Sequence, residues 1–118
     1  MTPRSQKTLQ WLQNLQIKVY RGLHLNAGNI DTDTVDQWIA RSSSISPGDL
    51  ERVLNHIHVY DFFPDVLDET ELRGLASEIA RGWEKALSEL DPKYRVIEHE
   101  GYGPEVSFYL DRGMSDTA

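Results

Sequence analysis

The chain has no cysteine. That excludes a disulfide scaffold, a thiol nucleophile and any cysteine-ligated zinc or iron–sulfur centre. Long apolar runs are also missing: nothing approaches the roughly 18 uninterrupted apolar residues of a membrane-spanning helix. The opening stretch "MTPRSQKTLQWLQNLQ" is too polar to act as the apolar region of a secretory signal. These absences predict a soluble, cytoplasmic protein. Nucleotide-binding loops are absent too. The close-set Gly101 and Gly103 fall in a turn between two strand patterns, not between a strand and a helix. Ser42, Ser43 and Ser44 have no G-x-S-x-G frame around them. No cofactor is expected.

Acidic residues are absent from positions 1–30, which carry Arg4, Lys7, Lys18 and Arg21, a charge of +4. The other eight basic residues and all nineteen acidic ones lie in 31–118, a charge of −11. Such a body repels nucleic acid and anionic membrane over most of its surface. The basic first segment has two uses: pairing with the chain's own acidic body, or docking on the acidic body of a second copy in a homodimer. The 39% hydrophobic and 26% charged content of the 118 residues is ordinary for a globular chain, and the length suits one domain.

Leu9, Leu12, Leu15, Val19 and Leu23 recur at three- and four-residue steps and predict an amphipathic helix over about 5–24, started by Thr2-Pro3 or Ser5. Its end, "IKVYRGLHL", also reads as a strand. After the turn-rich "NAGNIDTDT", residues 33–42 predict a short helix capped near Asp33 or Thr34, with Val35, Trp38 and Ile39 on one side. Ser46, Pro47 and Asp49 form a helix-start signal for a third helix carrying Leu50, Val53, Leu54 and Ile57 at helical spacing. Asp68 with Glu71 begins the clearest helix, about 69–90, which holds Leu72, Leu75, Ile79, Trp83, Leu87 and Leu90 on one face. Trp38 and Trp83 sit at core spacing. Two alternating runs, 93–99 and 105–111, joined by "EGYGP", predict a C-terminal β-hairpin, with Val106, Phe108 and Leu110 on one face and Tyr94 and Val96 paired onto it. A lone hairpin is marginal in water, and "HIHVYDF" (56–62) is the expected third strand. The tail at 113–118 is expected to fray. The fold predicted is α+β: three or four helices packed against a small antiparallel sheet with a C-terminal β-hairpin.

The stretch "NHIHVYDFFPDVLDETE" (55–71) concentrates the candidate chemistry. In extended backbone, His56 and His58 share one face and need a third metal ligand from elsewhere; Asp61, His24 and His99 are the candidates. The plain alternative is a histidine pinned to a carbonyl or carboxylate at the joint between helix and strand. The same stretch holds Asp61, Asp65, Asp68, Glu69 and Glu71 among Phe62, Phe63, Val66 and Leu67. If either phenylalanine is exposed, it forms an aromatic anchor inside an acidic rim, suited to a basic partner. Against this, both rings can cap the core while the acids merely solubilise. Tyr102, flanked by glycines at the hairpin tip, is a second candidate contact, and the hairpin edge can accept another strand in a dimer. In composition the chain is similar to toxin-immunity proteins and other small inhibitors, with no motif behind the likeness. The leading expectation is a non-enzymatic interaction module for a basic protein partner, using Asp61, Phe62, Phe63, Asp65, Asp68, Glu69 and Tyr102. Beside it stand a metal-binding protein or metal-dependent enzyme using His56 and His58, and a structural homodimer.

Overall fold

A computed structural model describes residues 2–28 and 30–113. The described residues form five helices and two small antiparallel sheets: α1 (Pro3–Gln13), β1 (Ile17–Tyr20), β2 (Leu23–Asn26), α2 (Thr32–Arg41), α3 (Pro47–Asn55), β3 (Ile57–His58), α4 (Val59–Phe62), α5 (Glu69–Leu90), β4 (Tyr94–Gly101) and β5 (Gly103–Leu110). The class is α+β, and the C-terminal hairpin is β4–β5. The tail from 114 onward lies outside the described residues.

The first helix is shorter than its leucine spacing predicts. Thr2 caps α1 by accepting from Ser5 N, and the helix ends at Gln13. Ile17, Val19 and Tyr20, which prefer extended backbone, then form β1. Arg21 and Gly22 both have positive φ, 52° and 78°, as a two-residue turn suited to the twist of a hairpin requires. Leu23 is buried, as the predicted helix also needed, but by strand alternation together with Leu25, while Val19, on the same predicted helix face, is exposed.

The helix starts at 46 and 68 stand where predicted. Ser46 accepts from Asp49 N, and Asp68 accepts from Thr70 N. The cap of α2 is Asp31, not Asp33 or Thr34; its carboxylate accepts from Asp33 N and Thr34 Oγ1.

The expected strand at 56–62 shrinks to two residues. Ile57 opposes Val106 and His58 opposes Glu105. Had the strand run on, Asp61 would have shared the inward face of Ile57, Val59 and Phe63, at a heavy desolvation cost. One helical turn instead brings Val59 and Phe63 inward four residues apart and leaves Asp61 exposed.

Two hydrophobic clusters result. The larger joins α1, α5 and one face of the β3–β5–β4 sheet, with Trp83, Ile79, Phe63, Val106 and Phe108 at its centre. Trp83 Nε1 donates to the Leu12 carbonyl at 2.7 Å, satisfying one of the orphan acceptors at the end of α1. Gly82 lets α1 come close: a Cβ there would lie 2.8 Å from Gln13 Cβ. The smaller cluster joins β1–β2 with α2 and α3 through Leu23, Leu25, Val35 and Leu50. Trp38 stays exposed at its edge, a departure from the core role its spacing predicts.

Helix α3 joins the two halves through polar side chains. Glu51 and Asn55, one turn apart, are fully buried. Glu51 accepts from His24 N (2.6 Å) on β2, from Leu110 N (3.0 Å) on β5, and from both Arg112 terminal nitrogens (2.9 and 2.7 Å). Asn55 accepts from Asn26 N and donates to the carbonyls of His24 and Phe108. These two side chains satisfy the free edge of β2 and the stretch of β5 that the short β3 leaves uncovered. A second tie runs from His24 Nδ1 to the Tyr94 hydroxyl, 2.6 Å.

Asn55→Ala removes three hydrogen bonds and orphans buried backbone groups, so it lowers unfolding free energy by about 2–4 kcal/mol; Val53→Ala, on the exposed side of α3, changes it by about 0.5 kcal/mol or less. Urea melts of the two variants check this. Burial first, then the negative charges of Glu51 and Asp91, raise the Tyr94 phenol above its ordinary value of 10.0. A raised folded-state value means the contribution is fully present below about pH 10 and is lost as pH climbs through the folded value. Urea midpoints followed into alkali therefore fall for the wild type, and Tyr94→Phe removes Tyr94's share of that fall.

Candidate functional site

Two regions each hold some of the candidate residues: of the predicted binding set only Asp65 lines the first, and His56 and His58 meet in the second. The first is an acidic groove. Pro64 turns the chain after α4, and residues 65–68 lead into the N-terminus of α5. Asp65, Val66, Glu71, Gly74, Leu75 and Glu78 face Thr2 and Ser5 of α1 across an open groove of about 750 Å³. Leu75 is buried, Val66 is half-buried, and Gly74 has open space over its Cα. The lining contains no basic residue. Glu78 pairs with Arg81 at 3.3 Å. Among the described residues, no cation lies within ion-pair distance of Asp65 or Glu71. On the approach, Leu67 is 89% exposed.

None of the other predicted contacts lines this groove. Asp61 is exposed on α4. One Asp68 oxygen caps α5, and Glu69 pairs with Arg73 at 3.5 Å. Phe63 is 2% exposed and belongs to the core. This corrects its expected role as a surface anchor: the turn of α4 that keeps Asp61 in water drives Phe63 inward. Phe62 is half-buried and packs against Trp11 with ring centroids 6.0 Å apart. Trp11 is 59% exposed, so an aromatic pair does reach the surface. Tyr102 projects from the hairpin tip at 89% exposure, outside the groove lining. Of the basic residues before position 30, Arg21 pairs with Asp36 at 2.9 Å. Arg4, Lys7 and Lys18 make no ion pair among the described residues.

The second region is a histidine cleft on the opposite side of the three-stranded sheet. β3, β5 and β4 set His58, Glu105 and His99 side by side in one cross-strand row. His56 ends α3 in extended backbone (φ −70°, ψ 144°), so it shares the side of His58, as two-residue alternation predicts. The two imidazoles meet edge to face, centroids 5.0 Å apart. A cleft of about 430 Å³ runs between α3 and the sheet, lined by Asp49, Arg52, His56, His99 and Glu105 among others. Glu105 converges with His56 and His58. His24 is on the other sheet, bonded to Tyr94, and neither it nor Asp61 joins the cluster. Glu105 was not a candidate from sequence, because the strand register that puts it opposite His58 depends on the whole fold. The buried Glu51 was missed for a related reason: on the helix it follows Leu50 directly, and its partners are distant backbone atoms.

No protein-family model, no curated protein and no solved structure matches the chain.

The two adjacent phenylalanines separate by stability. Phe63→Ala costs about 3–5 kcal/mol in urea unfolding, as for a large core side chain, and Phe62→Ala costs less than half of that.

Proposed function

We propose that the protein is an interaction module whose acidic groove receives a basic, partly apolar segment of another protein, in the manner of a small inhibitor. The observation that carries this reading is the groove itself: Asp65 and Glu71 stand without a cationic partner among the described residues, over a floor of Val66 and Leu75, and no basic residue lines it. A carboxylate pair at a groove wall attracts lysine or arginine, and the charge of −11 carried by residues 31–118 speeds the encounter. Apolar side chains of the same segment gain by covering Leu75, Val66 and the exposed Leu67. Helix α5 holds Glu71 and Leu75 one turn apart, so an incoming segment meets charge and apolar surface at helical spacing. Trp11, the half-buried Phe62 beside it and the exposed acids Asp61, Asp68 and Glu69 are further contacts in this reading; Tyr102 lies outside the groove lining.

Fluorescence anisotropy with a labelled peptide of alternating lysine and leucine tests the reading, with a glutamate–leucine peptide as the counterpart. The lysine peptide binds and the glutamate peptide does not, and affinity falls about tenfold or more between about 50 and 300 mM salt. Asp65→Lys/Glu71→Lys abolishes binding. Glu84→Lys/Glu89→Lys makes the same charge change at the far end of α5 and retains most of it. Equal losses in both double variants would reduce the effect to net charge and remove the groove from the account.

A further inference from the structure

We propose that His56, His58 and Glu105 form a binding site for a borderline divalent transition metal, zinc in the first place. The inference is independent of the groove, which lies on a different part of the surface.

Geometry comes first. One ligand atom from each of the three residues lies within 4.8 Å of the other two. His58 Nδ1 and Glu105 Oε2 are 3.7 Å apart. That is too long for a hydrogen bond. It is close to the separation of about 3.4 Å between two ligands of a tetrahedral zinc with bonds of about 2.0–2.1 Å. Small side-chain rotations bring three such atoms onto one ion.

The hydrogen bonding of the cluster points the same way. His58 Nδ1 is shielded from solvent and has no hydrogen-bond partner. A buried ring nitrogen without a partner costs free energy, and a metal ion would satisfy it. His56 is arranged differently. Its Nδ1 lies against the Val53 carbonyl, and only a protonated nitrogen can donate there. The lone pair is therefore on Nε2, the tautomer a metal-binding histidine needs, held by the backbone bond that such ligands typically make. Gly101 leaves room for the Glu105 carboxylate: a Cβ at 101 would run into it.

The donor set chooses the metal. Two imidazoles and a carboxylate suit zinc, cobalt or nickel better than calcium or magnesium, which favour oxygen ligands. Three protein ligands leave a fourth position for water or an incoming ligand from the cleft, the pattern of zinc sites that keep an open coordination place. His99, opposite Glu105 on β4, and Arg52, on the far wall, border that opening.

Isothermal titration of chelator-treated protein with zinc chloride, repeated with cobalt(II) to read the visible bands of a tetrahedral ion, tests the site. One ion binds per chain with Kd below about 1 µM. His58→Gln and Glu105→Gln each weaken binding about a hundredfold or more, whereas Asp61→Asn leaves it unchanged. Circular dichroism and urea midpoints of the metal-free proteins identify any variant that does not fold, and the remaining variant then decides. Wild-type binding that is absent, millimolar or of uneven stoichiometry overturns the proposal. So does tight binding that a folded His58→Gln or Glu105→Gln protein retains.

Discussion

The fold depends on one polar seam. Glu51 and Asn55 are buried on α3 and bond the backbone of two strands that belong to different sheets. Neither sheet is large enough to stand alone: one has two strands and the other three, the third only two residues long. A short sheet with a free edge is marginal in water. Burying a carboxylate is costly unless charge and hydrogen bonds meet it. Here Arg112 supplies the charge through two nitrogens, and two backbone amides complete the shell. The seam lets a helix do the work of a missing strand, and the hydrophobic clusters on either side assemble around it.

The same arrangement sets the histidine cleft. Because α3 takes over the edge of β5 beyond Val106, β3 starts only at Ile57, and the chain turns into α4 directly after His58. Its brevity places His56 at the helix end and His58 on the sheet, two residues apart on one side. The β4–β5 register then delivers Glu105 to the same row. Beyond β3, the single turn of α4 buries Phe63, exposes Asp61 and directs 65–68 to the start of α5, where the acidic groove opens. One short stretch of chain thus feeds two separate surfaces.

Much of this was legible from residue patterns, and the failures have physical causes. Helix starts at Ser46 and Asp68 were readable because a cap is local: side chain and amide lie within three residues. Trp83 was placed in the core by spacing alone, and the hairpin face of Val106 and Phe108 by alternation. The stretch 15–25 allowed two readings, because Leu15, Val19 and Leu23 satisfy helical spacing while "IKVYRGLHL" also reads as extended; the extended reading holds, and Arg21-Gly22 closes a hairpin within it. There, the strand preference of Ile17, Val19 and Tyr20 outweighs a leucine repeat. The roles of Glu51, Asn55 and Glu105 were invisible, since each is defined by partners far along the chain. The shared side of His56 and His58 was readable from alternation, but their convergence with Glu105 was not.

Native-state amide exchange at His24, Asn26 and Leu110 tests the seam most directly, because these amides donate to the Glu51 and Asn55 side chains. All three are expected to exchange with the same opening free energy as the core amides of Val106 and Phe108, through global unfolding. Fast exchange at His24 and Asn26 while Val106 stays protected would mean that β1–β2 opens as a separate unit, and that the seam does not hold the two sheets together.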